Sequence, residues 1–140
     1  LEFKNLFPYL TYITPNEVEI QMLTPDISEL DDKIDFLINS GVYGVIVKLG
    51  EKGIVYKDRD GRYFKLDAYK VNAVDTTAAG DIFNGAFALC LNKNFDLKYS
   101  LKFSQAASAI SVTRKGATIS CPDYNEVIKF LEERDEKNNN

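Results

Sequence analysis

The strongest constraint on the fold is the run Tyr43–Leu49, YGVIVKL, in the first half of the chain. Its centre is a block of consecutive hydrophobic residues without polar alternation, which is typical of a strand buried on both faces of a parallel sheet. Such a strand needs neighbouring strands on both edges and helices on both faces. The run therefore predicts an α/β protein and part of a larger sheet.

Segments of strand and helix character precede this run. Leu10–Thr14 (LTYIT) is a short β-branched and aromatic run that stops at Pro15, which predicts a strand. A short helix is predicted after Asn16, and a longer one over Ile27–Asn39 that ends at Gly41. The order strand, helices, strand indicates a βαβ unit with parallel strands.

The rest of the chain predicts a hairpin followed by helices. Two strands, Gly53–Tyr56 and Arg62–Leu66, flank a polar turn, and Ala68–Val74 is expected to be extended. Helices are expected over residues 80–92, 97–113 and 124–133. Residues 134–140 are charged, end in three asparagines and predict a disordered tail.

The 140-residue sequence contains no histidine, which excludes several kinds of chemistry. Ser-His-Asp and Cys-His schemes, HExxH zinc sites and histidine general bases are all ruled out, so carboxylates, lysines and tyrosines remain. The formal charge of -4 argues against nucleic-acid or anionic-membrane partners. No apolar run approaches the roughly 20 residues of a membrane span. Cys90 and Cys121 lack metal-ligand spacing and predict reduced thiols in a cytoplasmic protein.

The stretch Val74–Phe87, VDTTAAGDIFNGAF, carries the most chemical information. An acid, two hydroxyls, two small residues, a glycine and a second acid lead directly into a helix-like apolar run. This order suits a phosphate held by backbone N–H groups at a helix start. Asp81 falls on the first helical turn, where its carboxylate could take a proton from an attacking hydroxyl.

A purely structural interpretation of this stretch is also open. Asp75 or Thr77 could cap the helix, and Gly80 could simply allow close packing. Gly85 favours the functional interpretation, because a glycine in a helix interior costs about 1 kcal/mol.

Three further stretches carry weaker signals. Lys48–Gly53 ends a strand with two glycines three apart, which allows either a ligand-binding loop or a tight turn. Asn16 and Glu19 could orient water around Mg²⁺ or form a capping box. Val112–Ala117 contains two cations that favour a helix C-terminus, with Gly116 as the residue after the cap.

In this order, these stretches resemble the carboxy-terminal half of the ribokinase-like (PfkB) sugar kinases, from about Ile13 to Leu131. The pattern D-T-x-x-A-G-D-x-F-x-G is highly specific to that family, and the DTTAAGD and VTRKGA variants are closest to its ribokinase members. The resemblance implies a three-layer α/β/α fold, with this chain supplying the carboxy-terminal portion of a mostly parallel central sheet. Residues 1–133 would be the half that binds ATP and carries the catalytic base. The sugar-binding Gly-Gly region and the lid belong to the other half.

The resemblance also implies a role for each motif. Asp81 would be the general base, and the backbone of Ala78, Ala79 and Gly80 would form the anion hole; many members have glycine in place of Ala78. Asn16 and Glu19 match the family's N-x-x-E motif, which acts on the Mg²⁺ and phosphate side, Glu19 indirectly. The expected ATP contacts are Asn16, Lys48, Leu49, Gly50, Glu51, Lys52, Gly53, Gly80, Asp81 and Gln105. A monovalent cation, K⁺, is expected beside the anion hole at Asp75, Thr77, Ser111, Arg114, Gly116 and Ser120, mostly through backbone carbonyls.

The implied activity is transfer of the ATP γ-phosphoryl group to a sugar hydroxymethyl group, with D-ribose as the expected acceptor and ribose 5-phosphate as the product. One alternative is a nucleotide-binding fragment without catalysis, and another is a PfkB kinase for fructose or adenosine. The expected ligands are ATP, Mg²⁺ and K⁺, and the full-length protein is expected to form a homodimer. The isolated chain is expected to be inactive, because the acceptor-contacting residues lie outside it.

Overall fold

The computed structural model describes residues 2–138, and the side chains of residues 4–134. The chain divides between Asp67 and Ala68 into two compact units, and each unit has its own hydrophobic core. The sequence-based domain limits, residues 1–133 as one half of a larger domain, stay a prediction.

The first unit is a four-stranded sheet with two helices. Its strands are β1 (Tyr12–Ile13), β2 (Gly44–Lys48), β3 (Ile54–Asp58) and β4 (Tyr63–Leu66), and they lie in that order in the sheet. β1 pairs with β2 in parallel, whereas β2–β3 and β3–β4 are antiparallel. The helices α1 (Glu17–Leu23) and α2 (Leu30–Asn39) both contact β2, and 3₁₀ segments cover Glu2–Tyr9 and Gly50–Lys52.

The central strand confirms the α/β class predicted from YGVIVKL. Val45, Ile46 and Val47 of β2 are completely buried. Val45 and Val47 lie on one face, where they pack with Ile34 and Leu37 of α2. The sheet is mixed, because the short connection of five residues between β2 and β3 can join only antiparallel neighbours, whereas a parallel neighbour requires a long crossover.

The second unit consists of helices. These are α3 (Ala79–Asn92), α4 (Leu97–Ser111) and α5 (Tyr124–Asn138), with a 3₁₀ turn over Thr118–Ser120. α4 contacts both α3 and α5. The buried cluster that joins the three helices consists of Cys90, Phe103, Ala106, Ala107, Ile110, Val127 and Leu131.

Several boundaries differ from those predicted. α2 begins at Leu30 instead of Ile27, because the chain first turns at Pro25, with the Ile27 N–H donating to the Thr24 carbonyl at 3.2 Å. No strand forms over residues 68–74 of the described structure. The Val74 N–H donates instead to the carbonyl at the end of α4, at 2.7 Å.

The carboxy-terminal helix is longer than expected. The backbone of residues 134–138, which we expected in a tail, is helical in α5. Glu, Lys and Arg are strong helix formers, so a charged segment can extend a helix without packing against a core. Residues 139 and 140 lie outside the described residues. Between residues 2 and 138, no helix is long and apolar enough to span a membrane.

Candidate active site

The start of α3 has no side-chain cap. Ala78 is the N-cap residue and lies in the left-handed region, at φ 62° and ψ 6°, which is unfavourable for a residue with a Cβ atom. Asp75 and Thr77 do not cap the helix, so the capping alternative is wrong. Asp75 makes its hydrogen bonds elsewhere.

The first turn of α3 leaves backbone donors open. The Ala79 N–H donates to the Thr76 carbonyl at a long 3.2 Å. The N–H groups of Ala78, Gly80 and Asp81 have no acceptor among the described residues. Open N–H groups at the positive end of a helix form a ready site for an anion. The geometry thus suits a phosphate, although the donor set is shifted from the predicted Ala78–Gly80.

Asp75 connects this motif to the turn that follows α4. One carboxylate oxygen accepts from the Thr77 N–H at 2.9 Å, and the other accepts from the Gly116 N–H at 2.9 Å. Hydrogen bonds from the Thr77 side chain, the Gly116 N–H and the Thr77 N–H lower the pKa of Asp75 to about 2. The carboxylate is therefore ionised at neutral pH.

Gly116 has a different role from the one its sequence context suggested. α4 ends at Ser111 with Val112 as its cap, so the predicted position of Gly116 immediately after the cap is wrong. Its φ of 93° lies in a region that L side chains rarely adopt. This turn brings the Gly116 N–H to Asp75.

Among the other positions predicted to bind a cation, only some are joined to one another by hydrogen bonds. The Arg114 N–H donates to the Ser111 carbonyl at 3.0 Å. Ser120 is fully buried, and its hydroxyl donates to the Ala117 carbonyl at 2.7 Å. Within the described residues, Ser120 shows no hydrogen bond to the other predicted positions.

A groove of about 530 Å³ lies beside Asp81 in the second unit. It is largely apolar and is formed by α3, α4, the turn after Gly116 and the start of α5. Its lining is Ala78, Asp81, Ile82, Gly85, Ala86, Leu89, Phe103, Ala107, Ala117, Thr118, Cys121, Pro122, Asp123, Tyr124 and Val127. Gln105 does not line this groove. Its side chain is buried on α4, and its assignment to the nucleotide stays a prediction.

Sequence reasoning missed Ser108. Its hydroxyl donates to the Ala79 carbonyl at 3.0 Å and so connects α4 to the first turn of α3. The available signal was the regular spacing of Ser100, Ser104 and Ser108 on one face of α4. Small residues on such a face allow two helices to approach closely.

The first unit brings together the two remaining motifs, which are the pair Asn16 and Glu19 and the segment Lys48–Gly53. Asn16 forms a bridge with Lys48, and the Lys48 N–H donates to the Pro15 carbonyl at 2.9 Å, so the start of α1 lies beside the end of β2. The Asn16 side chain accepts from the Glu19 N–H at 2.8 Å, and Glu19 Oε2 accepts from the Asn16 N–H at 2.8 Å. The capping box is therefore formed.

The Lys48–Gly53 segment makes a tight turn between β2 and β3. The Leu49 N–H donates to the Gly53 carbonyl at 2.8 Å, which closes the turn. Lys52 Nζ lies 3.2 Å from Glu17 Oε1, and both side chains are exposed. Antiparallel pairing with β3 follows directly from this closure.

The fold and this geometry define an α/β protein in which open backbone N–H groups and a carboxylate lie together at one helix start. Residues 1–124 match the family model described as pfkB family carbohydrate kinase. The chain belongs to the pfkB family of carbohydrate kinases.

Individual relatives agree with this assignment. The chain is 39% identical over 131 residues to the ribokinase of Haemophilus influenzae. The aligned region covers 91% of this chain and 42% of that protein. The crystal structure of the ribokinase from Thermotoga maritima superposes with a TM-score of 0.88 and 43% identity, over 92% of this chain and 44% of that one. The Arabidopsis thaliana ribokinase, complexed with ribose and ATP, gives a TM-score of 0.85 at 31% identity, over 91% and 43% of the two chains. The chain thus spans less than half the length of these relatives.

Proposed function

We propose that the protein to which this chain contributes is an ATP-dependent sugar kinase, and that its acceptor is the hydroxymethyl group of D-ribose. The observation that carries the proposal is the start of α3, where open backbone N–H groups and the Asp81 carboxylate occur within one helical turn. Phosphoryl transfer requires this combination of an anion site and a proton acceptor.

In the proposed mechanism, the Asp81 carboxylate accepts the proton of the sugar hydroxyl as the oxygen attacks phosphorus. The open N–H groups of Ala78, Gly80 and Asp81 donate hydrogen bonds to the transferred group, and the dipole of α3 stabilises its negative charge. Asp81 is exposed and lines the groove, so an acceptor can reach it. Removing one donor of this kind typically reduces the rate by about 10²–10³-fold.

The residues of the first unit are proposed to hold ATP. The Lys48–Gly53 turn would contact the nucleotide, and Asn16 and Glu19 would act on the Mg²⁺ side. Glu19 Oε1 makes no hydrogen bond within the described residues, so it is available to a water bound to Mg²⁺. Mg²⁺ neutralises charge on transferring phosphates and usually keeps several waters.

The second unit fits a monovalent cation. The carbonyl oxygens of Thr77, Arg114 and Gly116 accept no hydrogen bond from the described residues, and the neighbouring Asp75 carboxylate is ionised. Carbonyl oxygens are the ligands that replace the hydration shell of K⁺ in proteins. K⁺ held there would lie close to the anion site and add positive charge beside it.

Replacement of Asp81 tests the proposal. Asp81→Asn in the full-length protein should reduce kcat for ribose phosphorylation by at least about 10²-fold, because a general base contributes about 10²–10⁴-fold. The Kd for an ATP analogue should stay within twofold of the wild-type value. Asp67→Asn, an exposed aspartate of the other unit, is the matched control and should leave both unchanged. A kcat of Asp81→Asn near that of the wild type would exclude Asp81 as the base.

The second candidate is a nucleotide-binding chain without catalysis. It is favoured by the coverage, since the chain spans only 42% of the ribokinase that it matches. Calorimetry of the 140-residue chain with an ATP analogue and with D-ribose separates the two. Nucleotide binding without ribose binding supports the second candidate for the isolated chain. Parallel assays of the full-length protein with fructose and adenosine identify the acceptor.

A further inference from the structure

The turn that carries Gly116 is held on its other side by an ion pair. The guanidinium of Arg114 contacts the carboxylate of Glu126 on α5 through both terminal nitrogens, with N–O distances of 2.5 and 3.4 Å. Paired contacts of this kind fix the relative orientation of both side chains. The pair is partly shielded from solvent, with side-chain exposures of 36% and 40%.

Glu126 is itself fixed at the start of α5. Its Oε2 atom accepts from the Asp123 N–H at 2.9 Å, and its own N–H donates to the Asp123 carboxylate at 2.9 Å. This reciprocal pattern is a capping box, which holds the Glu126 carboxylate in one rotamer. Arg114 is therefore attached to a capped helix start.

The two anchored points of the turn are close in sequence. Arg114 is held to α5 by Glu126, and Gly116, two residues later, is held to Asp75 by its N–H. Between them lies the exposed Lys115. A short segment with a glycine at positive φ has many alternative conformations, so two anchors are needed to restrict it.

We propose that Glu126 is a positioning residue for the corner formed by Asp75, Arg114 and Gly116, and that it keeps this corner in the conformation that binds a monovalent cation. Through Arg114 it holds the turn so that the Gly116 N–H stays on Asp75 and the carbonyls of residues 114 and 116 remain open. The inference rests on the proposed function, because it concerns the cation site next to the proposed anion hole. The alternative is that the ion pair only stabilises α5.

The test uses the full-length protein and three variants: Glu126→Gln, Glu126→Asp and, as the matched control on the exposed face of α5, Glu133→Gln. KCl is titrated against tetramethylammonium chloride at constant ionic strength. One readout is the KCl concentration that gives half-maximal ribose phosphorylation. The other, which needs no activity, is the K⁺-dependent increase in Tm of the protein without substrates.

Glu126→Gln should raise the half-maximal KCl concentration about five- to tenfold, which is the lower end of the range typical of a coupling between two sites. Its kcat at saturating KCl should stay within twofold of wild type, and its Tm increase should need correspondingly more KCl. Glu126→Asp keeps the charge and should show a smaller shift. Glu133→Gln should behave as wild type.

Two outcomes would overturn the inference. If Glu126→Gln lowers Tm but leaves both KCl midpoints at the wild-type value, the ion pair is only structural. If K⁺ affects neither activity nor Tm of an active wild-type enzyme, this corner is not a cation site. An inactive wild type refutes the proposed function instead, while the Tm titration still decides the inference. If Glu126→Gln does not fold, the KCl midpoints of Glu126→Asp decide in the same way.

Discussion

Ala78 is the position where the backbone of the site departs most clearly from an ordinary helix start. It occupies the left-handed region with a Cβ atom, and its carbonyl accepts the first hydrogen bond of α3, from Ile82 at 2.9 Å. Ala78→Gly removes the Cβ atom without changing any other contact of the side chain. We expect this substitution to stabilise the protein.

The expected magnitude follows from two opposing terms. The left-handed conformation costs a residue with a Cβ atom roughly 1–2 kcal/mol. Glycine loses more backbone entropy on folding, which costs roughly 0.5–1 kcal/mol. The net increase in the free energy of unfolding is about 0.5–1 kcal/mol, because the steric term is the larger one.

Gly85 provides a matched comparison on the same helix. It lies in the interior of α3 without a positive φ, and a Cβ atom built on it meets no atom within 4 Å. Gly85→Ala should therefore also stabilise the protein by about 0.5–1 kcal/mol, through the entropy term alone. Both variants of the chain are compared with wild type by urea unfolding followed by circular dichroism.

A decrease in the free energy of unfolding for Ala78→Gly, beside an increase for Gly85→Ala, would refute this reasoning. If Ala78→Gly lowers the free energy of unfolding by the 0.5–1 kcal/mol or so typical of glycine in a helix interior, the left-handed backbone at Ala78 is not strained or not present. With a slope of about 1–3 kcal/mol per molar urea, a change of 1 kcal/mol moves the midpoint by roughly 0.3–1 M, which is readily measured.

Two further substitutions test other parts of the structure. Asp75→Asn should lower stability at pH 7, and the difference from wild type should shrink as the pH falls from about 4 through about 2. The folded-state pKa of Asp75, about 2, lies below its ordinary value, so its contribution is fully present above the unfolded-state pKa and is lost as the pH falls through the folded-state pKa; a difference at pH 2 as large as that at pH 7 would contradict it. Asp58→Asn should lower the free energy of unfolding by about 1.5–3 kcal/mol, because this buried carboxylate accepts from Tyr56 and Arg62. In urea unfolding, the exposed control Asp67→Asn should stay within about 0.5 kcal/mol of wild type, and an equal loss in both variants would argue against that account.

The predictions that held depend on patterns within a few residues. The buried strand β2, the hairpin of β3 and β4, and the extents of α3 and α4 to within two residues of their observed ends follow from local runs of apolar residues between turns. The capping box of Asn16 and Glu19 also follows from local spacing, because both partners lie in one helical turn.

The predictions that failed needed knowledge of distant partners. Asp75 was a reasonable helix cap by residue type, but one of its carboxylate oxygens bonds to Gly116, 41 residues later. Residues 68–74 have strand-like composition but form no strand, and Val74 bonds to the end of α4 instead. Composition reports the preference of a segment, whereas the available hydrogen-bonding partner decides its conformation.

The sequence by itself determined the α/β class and the position of the helix start that carries Asp81, and its motifs indicated the pfkB family. These depend on apolar periodicity and on small residues at fixed spacing, which act over a few residues. Only the tertiary structure decided that α3 begins uncapped with open N–H groups. Only the tertiary structure placed Ser108 on the Ala79 carbonyl and Arg114 on Glu126. The physical reason is that such contacts form between helices, and their partners are chosen by packing that no local pattern encodes.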